Sequence, residues 1–169
     1  MKLVEFLSSK NNDRVFVFQS LYTLSQKDIH HIQDYFYNIF FPDWHSHQNK
    51  IHPEFVILNN HFIVISTCTS KISGCAIDSL TRQIKHIERE LNINLLNRMQ
   101  VPFFSSFKKD IVMRDINNLS INFLSYNDFI KEYSDKKKEN IFVFNINITY
   151  SDDLWISPLS IWQKNYLIK

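Results

Sequence analysis

A single glycine, Gly74, stands in a chain of 169 residues, where average usage near 7% would supply about a dozen. That scarcity limits what the backbone can do. A phosphate-binding P-loop needs two glycines and a Lys-Ser/Thr pair so that backbone amides can close around the phosphates, and a dinucleotide-binding Rossmann turn needs three. Neither can be built here. The abundance of Phe, Ile, Asn, Lys and Tyr beside few Gly, Pro and Arg follows AT-rich codon usage, so much of the composition carries no functional signal.

Enough apolar material remains for a sizeable core, because 44% of residues are hydrophobic and 15% aromatic. A length near 170 is then most simply one domain spanning 1–169. The net charge of +2 comes from lysines spread along the chain rather than from a concentrated basic face, so nothing recruits nucleic acid. Two cysteines, Cys68 and Cys75, allow at most one disulfide and read as reduced thiols. Glu5 interrupts the N-terminal apolar run before a signal peptide can develop, and no later stretch approaches the ~18 apolar residues of a membrane span. The expectation is a cytoplasmic protein with no membrane association and no cofactor.

Local signals punctuate the chain. Residues 14–20 are β-branched and aromatic and predict a first strand. Ser25 with Asp28 forms a capping-box pattern before a helix whose core face carries Ile29, Ile32, Phe36, Ile39 and Phe40, and Pro42 stops it. A polar loop bearing His45 and His47 leads to Glu54–Leu58 and His61–Thr67, two strands joined by Asn59-Asn60, where asparagine tolerates positive φ. A second helix over Ala76–Leu91 has an apolar seam of Ile77, Leu80, Ile84, Ile87 and Leu91. Beyond it come strands at Val101–Phe107 and Asn118–Leu124, a short helix opened by Ser125 and Asp128, a basic Lys136–Lys138 loop, a strand over Ile141–Thr149, and an aromatic tail with Trp155 and Trp162. The order strand, helix, strand, strand, helix, strand is that of a ferredoxin-like core. An α+β fold follows, mainly antiparallel with its helices on one face and a C-terminal extension.

The segment Thr67–Asp78 joins a buried strand to a helix start and holds the one glycine. Exposed amides and the helix dipole at Cys75 would favour a thiolate, and His47 or His45 of the polar loop are the candidate imidazoles to deprotonate it, with Cys75 and His47 as the reactive pair. A structural reading competes with this: a buried thiol, a turn needing Gly74, and Asp78 as a capping acid paired to Arg82. A metal site on Cys68, Cys75, His45 and His47 fits only weakly, since the cysteines are seven apart and the two histidines flank one residue, unlike closed zinc patterns, so it ranks below the thiol reading and no metal is assigned. His30, His31 and His86 fall on solvated helix faces. The sheet lacks the aromatic signature of an RNA-recognition motif.

Taken together, Trp44-x-x-His47, Phe62-Ile63-Val64, Ser73-Gly74-Cys75-Ala76-Ile77-Asp78, Asn97-Arg98 and Pro158–Trp162 resemble a family of small uncharacterised bacterial proteins often labelled ABC transporter ATPase. The label conflicts with the sequence, which has no Gly-x-x-x-x-Gly-Lys-Ser/Thr, no Walker-type acid and no Leu-Ser-Gly-Gly-Gln, and it is read as a misnomer. Ala76 and Gln163 stand where the family pattern has serine and histidine. The resemblance implies a common pocket of Trp44, His47, Ser73, Gly74, Cys75, Asp78 and Arg98 for a small molecule or anion. A non-enzymatic reading places the aromatic tail, Trp155–Tyr166, against a partner or a second copy of the chain.

Overall fold

The structure, a computed structural model, describes residues 1–8, 12–106, 113–133 and 140–166. Its strands are β1 (Val15–Gln19), β2 (His45–Ser46), β3 (Asn49–Lys50), β4 (Glu54–Leu58), β5 (Phe62–Ser66), β6 (Gln100–Ser105), β7 (Asn122–Ser125), β8 (Ile141–Phe144) and β9 (Ile156–Pro158). Its helices are α1 (Gln26–Tyr35), α2 (Gly74–Leu91), α3 (Tyr126–Tyr133) and α4 (Leu159–Tyr166). The fold is α+β, and every strand pairing is antiparallel.

The first sheet has the order β1-β5-β4. That is the arrangement of the first three strands of a ferredoxin-like core, with α1 crossing from β1 to β4. The fourth strand does not join it. Instead β6 opens a second sheet of order β7-β6-β8-β9, and the edge of β1 is closed by irregular backbone: Gln19 N–H donates to the Leu95 carbonyl and Val15 N–H to that of Thr149. The physical reason lies in β6, where Val101, Phe103 and Phe104 are all buried. A strand apolar on both faces needs a covering layer on each.

The two sheets pack face to face, and helices cover only their outer faces. Phe18, Ile63, Ile65 and Phe55 turn toward α1 and α2. Val17, Phe62 and Val64, on the opposite face, meet Phe104, Phe144 and Trp155. Val101, Phe103 and Val143 then turn away to Phe129, Leu159 and Trp162 of α3 and α4. The alternation of side chains along each strand therefore yields four layers, α, β, β, α, in place of one sheet with both helices on it.

Several local signals act as the sequence predicts. Ser25 Oγ accepts from Asp28 N–H while Asp28 Oδ2 accepts from Ser25 N–H, a reciprocal capping box. Asn59 and Asn60 both take positive φ, 52° and 49°. Others shift. Residues Phe36–Phe40 form a π-helical turn, which widens the repeat and swings Ile39 out of the core to 59% exposure while Phe40 and Phe41 stay buried. The strand expected over Asn118–Leu124 begins only at Asn122, because Asn59 Nδ2 donates to the Ile116 and Leu119 carbonyls and holds a 3₁₀ turn over Met113–Asn118. The strand over Ile141–Thr149 stops at Phe144, where Asn145 Oδ1 accepts from Asn147 N–H, an Asx turn that leaves the ladder. Lys136–Lys138, Phe107 and the tip of the C-terminus lie outside the described residues.

Candidate functional site

Trp44 follows the π turn and is 1% exposed, stacked among Phe40 and Phe41. Its indole Nε1 donates to the Ala76 carbonyl at 3.0 Å, which ties the 40–44 segment to the first turn of α2. The next residues form the β2-β3 hairpin, and Ile51 N–H closes it onto the Trp44 carbonyl at 2.9 Å. Ser46 Oγ accepts from Ser73 N–H at 2.8 Å. The hairpin is thus fastened to the entrance of α2 at two points.

The opposite wall is the loop from Thr67 to Ser73. Arg14 N–H donates to the Thr69 carbonyl at 2.7 Å and Thr67 N–H to the Arg14 carbonyl at 2.9 Å, so the loop is pinned against the start of β1. Ser73 is the N-cap of α2, its hydroxyl accepting from Ala76 N–H. Serine is among the better N-caps because its oxygen takes an amide that the helix leaves unpaired. Helix α2 therefore starts two residues earlier than its apolar seam suggests, and Asp78 falls beyond the first turn instead of capping it. Asp78 is exposed and makes no ion pair with Arg82 among the described residues.

Between these walls lies an open groove of about 610 Å³. Lys50, His47 and His52 line it from the hairpin side, and Lys71 and Cys68 from the loop side, with Ile51 and Ile72 as apolar surface. Among the described residues no carboxylate lines it. His47 and Cys68 hold φ of 55° and 53°, in the left-handed region that non-glycine residues enter at a cost.

The structure brings together part of the expected set. His47 and Ser73 line the groove and Trp44 supports it from the core, touching no ligand space. Cys75 is exposed on the first turn of α2 and is not among the lining residues, so the thiol that shares the groove with His47 is Cys68. Arg98 is elsewhere, beyond the C-terminal end of α2, whose 18 residues rise about 27 Å. Gly74 has no positive φ, and a Cβ built on it meets nothing within 4 Å. The expectation that backbone geometry demands this glycine is corrected: it is an ordinary first residue of a helix. Gly74→Ala is expected to stabilise the protein by about 0.4–1 kcal/mol through the unfolded chain, read as a higher urea midpoint; a lower midpoint would contradict the open surroundings.

Burial raises the Cys68 thiol pKa above its ordinary value, with the charges of Asp13 and Glu54 acting in the same direction. The thiol is the resting form at neutral pH, which suits a wall residue better than a nucleophile. Alkylation of Cys68 by iodoacetamide, followed in Cys75→Ser, is expected to titrate above the ordinary thiol range. A midpoint below it would make Cys68 an activated nucleophile after all.

The aromatic tail enters the fold instead of presenting a patch. Trp155 and Trp162 are buried, and Ile161 is the one large exposed hydrophobic among the described side chains of Trp155–Tyr166. Among the described residues no group of three or more His, Cys, Asp or Glu is arranged to hold a metal ion, and no helix is long and apolar enough to cross a membrane. Lys50, His52, Lys71 and Cys68 were not legible as a set because they come from two loops whose approach depends on long-range hydrogen bonds, Trp44 to Ala76 and Ser73 to Ser46; the polar 43–50 loop was the sequence signal nearest to them. Comparison with protein families, with curated proteins and with solved structures finds no match.

Proposed function

We propose that this protein binds a small organic anion in the groove between the β2-β3 hairpin and the Thr67–Ser73 loop. The observation that carries the reading is the make-up of the lining: two lysines, Lys50 and Lys71, beside the imidazoles of His47 and His52, with no acid among the described lining residues. None of these four is in an ion pair among the described residues. Cations left without protein partners in a concavity raise the local concentration of anions. The α2 amides beyond Ser73 lie at the same end and favour negative charge as well.

Size argues for an organic ligand. A groove of about 610 Å³ falls in the range of about 300–1,000 Å³ that small-molecule sites occupy, far beyond the needs of an inorganic ion. Its walls mix isoleucine with hydroxyl, amide, imidazole and cationic groups and, among the described residues, contain no Phe, Tyr or Trp ring. A phosphorylated or carboxylated polyol-type compound fits this chemistry. Glucose 6-phosphate serves as the probe, with glucose as its neutral counterpart, in isothermal titration at low salt. Saturable binding of the phosphate ester and none of the sugar is expected; equal behaviour of the two contradicts an anion site.

A further inference from the structure

A second cavity, of about 270 Å³, is lined by the connection from β8 to β9, by β9 itself and by the end of α4. Its polar lining comes from Asn145, Asn147, Asp153 and Ser157, with Asn165 of α4 exposed beside them, while Ile148 and Leu154 add apolar surface. Ser157 stands out. It is only 4% exposed, yet its hydroxyl makes no hydrogen bond among the described residues. A buried hydroxyl ordinarily finds a partner in the fold, because burying it unpaired costs free energy; this one lines a cavity instead.

The other polar side chains are held at one end and open at the other. Asn145 Oδ1 accepts from Asn147 N–H at 3.0 Å, and Asn147 Oδ1 accepts from Arg98 Nη1 at 2.7 Å. Each amide is oriented through its oxygen, and each Nδ2 makes no hydrogen bond among the described residues. Asp153 Oδ2 accepts from Thr149 N–H and Tyr150 N–H at 2.7 and 2.8 Å, while its Oδ1 makes none among the described residues. One cavity therefore holds two unused amide donors, an unused carboxylate oxygen and an unused hydroxyl.

A primary carboxamide complements this set, since its carbonyl oxygen has two lone pairs and its nitrogen two N–H groups. We propose that the cavity binds a small neutral ligand through a primary carboxamide. Its oxygen accepts from Asn145 and Asn147, its nitrogen donates to Asp153 and Ser157, and its hydrocarbon part rests on Ile148 and Leu154. A hexose is a poorer match, because it carries more hydroxyl groups than the cavity has unused partners, and those left unpaired are penalised on burial. Asp153, the one ionisable side chain in the described lining, disfavours an anion. Two backbone amides already face its charge, which leaves Oδ1 as an acceptor for an N–H group. The cavity shares no described lining residue with the anion groove, so the two sites are independent.

The test titrates the whole protein with isobutyramide while the side-chain amide resonances of Asn145 and Asn147 are followed by nuclear magnetic resonance. Saturable shifts are expected. N,N-dimethylisobutyramide keeps the carbonyl and lacks the N–H groups, isobutyrate puts a charged oxygen in their place, and each should bind at least about tenfold more weakly. Isobutyramidinium, a cation of the same shape without the acceptor, should not exceed the amide. Ser157→Ala removes a hydroxyl that has no internal partner, so the variant should fold as the parent does while isobutyramide binding falls about threefold to tenfold. Asp153→Asn keeps an oxygen for both backbone amides and should weaken binding at least about tenfold. No saturable shift with isobutyramide, equal binding of the dimethyl amide or of isobutyrate, tighter binding of the amidinium, or undiminished binding in folded Ser157→Ala would each overturn the proposal. If Ser157→Ala does not fold, undiminished binding in Asp153→Asn overturns it.

Discussion

Trp44→Ala is expected to lower stability by about 3–5 kcal/mol, the cost of deleting a large aromatic from a close-packed core. Three losses combine at this position. The indole packs at ring-centroid distances of 5.2 Å from Phe40 and 5.9 Å from Phe41, so its removal leaves a void beside rings that cannot readily close in. Its Nε1 donor to the Ala76 carbonyl also disappears. The hairpin that closes on the Trp44 carbonyl through Ile51 then loses its support. Trp44→Phe separates these effects, since it keeps most of the packing and removes the indole donor, and should cost about 1–3 kcal/mol. Urea denaturation read by fluorescence and by circular dichroism checks both values. A change within about 0.5 kcal/mol for Trp44→Ala, the range of ordinary surface substitutions, would mean that Trp44 does not anchor this corner.

The double substitution Lys50→Glu/Lys71→Glu is expected to abolish binding of glucose 6-phosphate while leaving the fold intact. Both side chains are exposed and form no ion pair among the described residues, so stability should stay within about 0.5 kcal/mol of the parent. Binding responds to the charges directly. Two favourable contacts to an anion become two repulsive ones, and loss of the attractive contacts alone predicts at least about a hundredfold weaker affinity. Single substitutions should fall between, with Lys50→Gln and Lys71→Gln each weakening binding about tenfold. Calorimetric titration at fixed ionic strength reads the series. A double variant that binds as the parent does would remove the lysines from the site.

Much of this architecture is written locally. The Ser25–Asp28 box, the Ser125 cap, whose oxygen accepts from Asp128 N–H, and the paired asparagines of the β4-β5 turn act through neighbours within a few residues. Reciprocal side-chain bonds and tolerated φ need no tertiary context. The π turn at Phe36–Phe40 is different, because it exposes Ile39 in exchange for packing Phe36, Phe40 and Phe41 against Trp44 and Phe55. A helical repeat read from sequence cannot anticipate that trade. The same holds for the second sheet: β6 satisfies the pattern of a buried strand equally well beside β1 or beside β8, and the choice depends on which faces other segments can cover.

The site was legible in its neighbourhood and not in its chemistry. Thr67–Asp78 and the histidine-bearing loop do meet, through Ser46 and Ser73. Yet Cys75 rides on the outer surface of the α2 entrance while Cys68, one strand end earlier, lines the groove. Six residues of loop and helix start separate the two thiols, and the loop turns between them through the left-handed φ at Cys68. Gly74 is rare by composition yet holds no positive φ, because scarcity in composition does not measure a local need for positive φ.

The most direct test of the anion groove is a map of backbone amide shifts during titration of the full chain with glucose 6-phosphate. Perturbations confined to residues 46–52 and 67–76, absent in the Lys50→Glu/Lys71→Glu variant, are the predicted result. Shifts centred on another part of the molecule, or a map that glucose reproduces, would contradict the assignment.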